Sequence, residues 1–133
     1  MKIGHIALSV SSIDKSIAFY RKNFGLVCRE KYRHPELGFT IAIIKKNNIA
    51  LELFEFKKHK KLPQYRRDLD TELKTLGVKH FSLEVTNIED TLRRLKKNKV
   101  RFATGISTFD SGQRYFFIRD PDGILVELMQ ARK

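Results

Sequence analysis

Apolar and polar residues alternate along the first ten positions, with Ile6, Leu8 and Val10 set against His5, Ala7 and Ser9. A two-residue period of this kind predicts a strand over 2–10 with one buried face. The period then changes. Ile13, Ile17, Tyr20 and Phe24 recur at helical spacing, Ser12 suits the N-cap, and Asn23-Phe24-Gly25 suits the helix end. Three further strands are expected at about 26–33, 38–45 and 48–56. The same order of elements then returns, starting with a strand at 78–85. Asn87 suits the next N-cap, with Asp90 as a weaker form of the capping box. Ile88, Leu92 and Leu95 mark a second amphipathic helix that ends at Asn98-Lys99. Strands follow at about 101–104, 112–119 and 124–131. Asp120-Pro121-Asp122-Gly123 predicts a tight hairpin turn, because Pro fixes φ and Gly tolerates positive φ. Lys45-Lys46-Asn47-Asn48 occupies the matching place in the first half.

These two halves are copies. Shifting the sequence by 75 residues without gaps lays His5-Ile6-Ala7-Leu8-Ser9-Val10 on His80-Phe81-Ser82-Leu83-Glu84-Val85. It also lays Ile13 on Ile88, Lys22-Asn23 on Lys97-Asn98, Ile43 on Ile118, Ile49 on Ile124 and Glu52-Leu53 on Glu127-Leu128. The fold class read from this repeat is α+β, with two tandem βαβββ modules. The modules run over about 1–56 and 76–131, in one domain of 1–133. Residues 57–75 link them, with Pro63 followed by a helical stretch from about Gln64 to Leu76 that Gly77 ends.

Composition narrows the class. A chain of 133 residues with 41% hydrophobic content supports a globular core without staples. The lone cysteine, Cys28, excludes an intrachain disulfide and suggests a reducing compartment. No apolar run approaches 18 residues, so no membrane span is expected, and MKIGHIALSV reads as a strand rather than a leader. The expectation is a soluble, cytoplasmic protein. Lys and Arg number 27 against 15 Asp and Glu, a net charge of +12, which suits anionic ligands. Lys57-Lys58-His59-Lys60-Lys61 reads as a solvated loop, since it lacks interleaved aromatics. With no helix-turn-helix, zinc-finger or RNA-binding signature, no nucleic-acid partner is expected.

The candidate chemistry lies in a pair that the repeat duplicates. In the last strand of the first module Ala50, Glu52 and Phe54 oppose Leu51 and Leu53. In the second, Leu125, Glu127 and Met129 oppose Ile124, Val126 and Leu128. If each helix covers the apolar face, His5 and Glu52 share the other face, as do His80 and Glu127. The His-to-Glu spacing is 47 residues in both modules. A lone strand histidine is usually a hydrogen-bonded core or edge residue, and a lone strand glutamate usually faces water. The same pair on the same face of both repeats is different. Two imidazoles and two carboxylates make a ligand set for a first-row divalent ion, and the two negative charges balance its two positive ones.

The chain resembles the vicinal oxygen chelate superfamily, which comprises the glyoxalase, fosfomycin-resistance and extradiol dioxygenase proteins. The residues that carry the resemblance are His5 opening HIALSV, Ser16-Ile17-Ala18-Phe19-Tyr20 through Gly25-Leu26, and Glu52 in ALELFEF. In the second half they are His80 in KHFSLEV and Asp120-Pro121-Asp122-Gly123 running to Glu127 in ILVELMQ. The resemblance implies a cup-shaped, partly closed mixed sheet, and one divalent metal (Ni, Co, Zn, Mn or Fe) per site on His5, Glu52, His80 and Glu127. It implies a glyoxalase-type lyase or isomerase of the lactoylglutathione lyase kind. The metal would polarise a substrate carbonyl while Glu127, or else Glu52, moves a proton on the adjacent carbon. The substrate would be a small anionic or thiol-conjugated molecule, and the enzyme a homodimer. Alternatives are a fosfomycin-type thiol transferase or hydrolase, an acyl-CoA epimerase, a non-catalytic resistance protein and an iron oxygenase. Fosfomycin-modifying members usually offer two His and one Glu. The epimerases usually have Gln where Glu52 stands. Bacterial glyoxalase I carries a glutathione-binding arginine where Ser9 stands here, and the asparagine expected after Glu52 is absent too. Arg114, Ser9 and Glu84 are candidate substrate contacts on the His/Glu face, and Phe39, Phe54, Phe116 and Met129 candidate lining residues.

Overall fold

The computed structural model describes residues 1–132, which form two compact units, Met1–Lys61 and Leu62 onward. The first unit runs β1 (Ile6–Ser9), α1 (Ile13–Phe24), β2 (Val27–His34), β3 (Phe39–Lys46) and β4 (Ile49–Phe56). Its sheet order is β1-β4-β3-β2, with β1 parallel to β4 and the other pairs antiparallel. The second unit begins with a 3-10 turn at Gln64–Arg66 and α2 (Leu69–Lys74). It continues with β5 (Phe81–Val85), α3 (Ile88–Lys97), β6 (Arg101–Phe102), β7 (Ser107–Thr108), β8 (Arg114–Arg119) and β9 (Leu125–Gln130). Here the order is β5-β9-β8-β6, with β7 paired to β8. The α+β class and the repeated strand–helix–strands order are as expected. β7 is an addition, and β6 is shorter than expected. After Phe102 the Ala103 and Thr104 N–H groups both donate to the Phe117 carbonyl and the Thr104 hydroxyl accepts the Phe117 N–H, so the regular alternation of the ladder stops there.

Each helix starts and stops where its local chemistry requires. Ser12 accepts from the Lys15 N–H and Asn87 from the Asp90 N–H. Gly25 ends α1 at φ 73°, a left-handed conformation that costs glycine little. A second bond ties each helix to its sheet. The Ile13 N–H donates to Glu55 Oε2 at 2.6 Å, and the Ile88 N–H donates to Gln130 Oε1 at 2.9 Å. Glu55 and Gln130 are repeat mates, so the last strand of each unit satisfies an open N–H at the start of its helix.

The core of each unit is the apolar side of its sheet beneath the helix. Leu8, Ala42, Ile44, Leu51 and Leu53 lie under α1 with Ile13 and Tyr20. Leu83, Phe116, Ile118, Val126 and Leu128 lie under α3 with Ile88 and Leu95. Each large side chain buried there stabilises by about 2 kcal/mol. The opposite sheet face of each unit is left to the His and Glu.

The linker differs from the single helix expected over 64–76. Asp68 accepts from the Thr71 N–H and hydroxyl, which caps a new helix and divides the stretch in two. α2 is held by Glu72, whose side chain is 1% exposed between Arg66 (3.1 Å) and Arg119 (3.0 Å). Arg119 also donates to the carbonyls of Arg66, Arg67 and Gly123, tying the linker to the β8–β9 turn. A buried carboxylate needs this full set of partners. Glu72→Ala, which removes the carboxylate shared by two guanidinium groups, is expected to destabilise the protein by about 3 kcal/mol. A urea midpoint that does not move would contradict the role given to Glu72.

Candidate functional site

The site residues owe their positions to parallel pairing between the first and last strand of each unit. Ala7 pairs with Glu52 and Ser82 with Glu127. His5 and His80 each stand two residues earlier, on the same face. Both histidines therefore reach their glutamates diagonally across one strand pair. His5 Nε2 lies 3.2 Å from Glu52 Oε2, and His80 Nε2 lies 3.5 Å from Glu127 Oε2. Within each unit, the structure thus brings together the pair expected from sequence.

The two pairs differ in environment. Glu127 and His80 have side chains 8% and 27% exposed, against 22% and 53% for Glu52 and His5. Phe117 lies directly across from Glu127 on β8 and meets the His80 ring edge-on at 5.0 Å. Tyr115 and Met129 continue this wall. Burial leaves His80 Nδ1 without a hydrogen-bond partner, so only Nε2 of that ring faces a polar group. In the first unit Ile43 lies across from Glu52, and Ile41 across from Phe54. Imidazole nitrogen and carboxylate oxygen are donors that suit a first-row divalent ion. Each pair supplies two of them. Among the described residues, no group of three or more His, Cys, Asp or Glu side chains is gathered to hold an ion.

The remaining candidates separate. Ser9 pairs with Phe54 on the His5 face and is exposed; Glu84 pairs with Met129 on the His80 face and is exposed. Arg114 requires a correction. Phe117 is the direct partner of Glu127, so Arg114 has the opposite parity and shares the helix-side face with Phe116. Its guanidinium is bound to Glu89 at the start of α3, and that hydrogen bond holds the Glu89 carboxyl below its ordinary value. Phe116 is likewise fully buried in the core rather than lining the site, whereas Phe39, Phe54 and Met129 do lie on the His/Glu faces. Phe117 and Tyr115 were not anticipated. The signal for them was the parity carried back from Glu127 through the Asp120–Gly123 turn.

The sequence profile of the Glyoxalase/Bleomycin resistance protein/Dioxygenase superfamily matches residues 2–128, and the chain belongs to that superfamily. It is 29% identical to the human mitochondrial methylmalonyl-CoA epimerase over 98% of this chain and 74% of that protein. It is 25% identical to the lactoylglutathione lyase of Neisseria meningitidis serogroup A over 99% of this chain and 92% of that one. The fold matches a glyoxalase family protein from Enterococcus faecalis with TM-score 0.82, at 24% identity and 96% coverage of both chains. Among the described residues, no helix is long and apolar enough to cross a membrane.

The face assigned to Arg114 is open to test. Arg114→Ala is expected to leave KM within about twofold and the urea midpoint almost unmoved, because the ion pair it gives up is exposed. Loss of a substrate-binding cation would instead raise KM by tenfold or more, since a hydrogen bond to a charged group is worth about 1.5–3 kcal/mol.

Proposed function

We propose that the protein is a metal-dependent lyase or isomerase of glyoxalase type, moving a proton on the carbon next to the carbonyl of a small thiol-conjugated substrate. The observation that carries this reading is the repetition of one His–Glu pair, in one register, in both units. His5, Glu52, His80 and Glu127 would hold one divalent ion. When bound, that ion would supply Lewis acidity to the substrate's carbonyl oxygen.

Glu127 is the first choice for the proton carrier. Its carboxylate removes the proton from the substrate carbon, and the C–H electron pair moves onto the carbonyl oxygen as an enolate forms. In an isomerase acting on a hemithioacetal the proton then goes to the former carbonyl carbon while the hydroxyl proton of the first carbon passes to the alkoxide oxygen, leaving a 2-hydroxy thioester. In an epimerase Glu127 keeps the proton and the second carboxyl group, Glu52, delivers another to the opposite face of the same carbon. Phe117, Tyr115 and Met129 keep water from the carboxylate, so the proton is not lost to solvent. Glu52, more exposed, is the second choice and takes the mirrored role allowed by the repeat.

A second reading, an acyl-CoA epimerase, draws on the 29% identity to the human methylmalonyl-CoA epimerase. It uses the same proton transfer on a different thiol, and Glu52 stands where such enzymes usually carry Gln. In either case the working enzyme is proposed to be a homodimer.

Metal analysis and turnover on hemithioacetals and acyl thioesters test this together. Purified protein is expected to carry about one divalent ion per site, and His5→Ala or His80→Ala to lose it without unfolding. Glu127→Gln keeps a ligand oxygen but removes the base, so turnover should fall about two to four orders of magnitude while metal is kept. Glu52→Gln should cost less. Full metal in both histidine variants, or full turnover in Glu127→Gln, would defeat the assignment.

A further inference from the structure

The Glu52 face of the first unit does not stop at Glu52. Phe54 and Phe56 follow on the same side of β4, their rings stacked at 6.2 Å with 14° between planes. Phe39, directly across from Phe56 on β3, adds a third ring at 5.4 Å, and His34 a fourth at 4.8 Å from Phe39. Phe56 is 39% exposed. The helix-covered core lies on the other side of the sheet, so this ladder is not core packing.

The chain that leaves the ladder is Lys57-Lys58-His59-Lys60-Lys61, exposed throughout. It is held close to the rings. The Lys57 N–H donates to the Gly38 carbonyl at 2.8 Å, and His59 Nδ1 sits 3.2 Å from the Phe56 carbonyl after a bend at Lys57 and Lys58. No Asp or Glu occurs between Glu55 and Asp68. Residues 1–61 hold 13 of the Lys and Arg but only 5 of the Asp and Glu, so this unit carries +8 of the net +12. Four lysines beside stacked rings suit a ligand that combines clustered phosphates with a flat heteroaromatic ring.

Distance selects among thiols. Phe56 lies about 13 Å along the strand from Glu52, at about 3.3 Å per residue, and Lys57 lies about 17 Å away. A tripeptide thiol spans on the order of 10 Å and carries its sulfur in the middle, so neither end reaches the lysines from a carbonyl at Glu52. A thiol at the end of a long arm with a nucleotide at the other end does.

We propose that Phe54, Phe56 and the Lys57–Lys61 run form a binding site for the phosphate-bearing nucleotide tail of a thioester whose acyl group lies at Glu52. This rests on the second reading above, the acyl-CoA epimerase, for the reacting end and adds where on the chain the tail is held. The rings stack on the base and the lysines neutralise the phosphates.

Binding of unreactive coenzyme A and of S-methylglutathione, measured by calorimetry without turnover, tests the proposal. Coenzyme A is expected to bind at least tenfold tighter than S-methylglutathione, and to weaken as salt is raised. Lys58→Glu/Lys60→Glu should weaken coenzyme A about tenfold, each reversal costing a factor of about three to five. S-methylglutathione should change less than twofold. Phe56→Ala should weaken coenzyme A about fivefold or more. Circular dichroism and metal content matching wild type will show that the variants are folded. The proposal fails if coenzyme A binds no tighter than S-methylglutathione, or if the double reversal leaves its affinity unchanged. It also fails if tripolyphosphate binds as tightly while Phe56→Ala is silent, the behaviour of a bare polycation. Tail binding without proton transfer on any thioester would count against the proposed reaction and not against this site.

Discussion

Parallel pairing between the first and last strand of each unit, β1 with β4 and β5 with β9, is the constraint on which the rest depends. A parallel pair needs a long crossover, and here the helix and the intervening strands supply it. Once Ala7 is opposite Glu52 and Ser82 opposite Glu127, the alternation of side chains leaves no choice. The apolar residues go under the helix, and one histidine and one glutamate go to the other face. A slip of one residue would bury both polar groups and expose the leucines beside them, so the hydrophobic core itself enforces the position of the site.

The crossover is fastened at its start. Glu55 and Gln130 reach from the last strand to the first helical N–H of their units, at Ile13 and Ile88. These residues lie on the site strands but face away from the site. They tie the start of the helix to the strand that carries the glutamate. The acid in one copy and the amide in the other accept the same kind of bond, which is why the repeat survives the change of side chain.

Duplication need not give two equal halves. Glu127 is walled by Phe117, Tyr115 and Met129, while Glu52 opens toward Phe54, Phe56 and a lysine-rich segment. On the proposed reading, the more buried carboxylate holds the proton away from water and the more open one receives the rest of the substrate. Net charge follows the same division, with most of the excess in the first unit. The fold alone would serve many chemistries. The unequal surroundings of two equivalent pairs are what the proposed reading uses to tell them apart.

Much of this was legible in the residues themselves. The 75-residue repeat, the caps at Ser12 and Asn87, the Gly25 stop, the Asp120–Gly123 turn and both His–Glu pairs depend on local spacing and alternation, which sequence records directly. The family resemblance rested on the same motifs. Tertiary structure decided what depends on strand register or on distant partners. Arg114 was two residues from Phe116 in either reading, but only the β8–β9 register put both on the helix side and Phe117 beside Glu127. The linker helix was divided because Asp68 capped a new start and Glu72 found Arg119, a residue 47 positions away. Alternation along one strand determines which residues share a face, but hydrogen bonding to the next strand determines which neighbours they meet there.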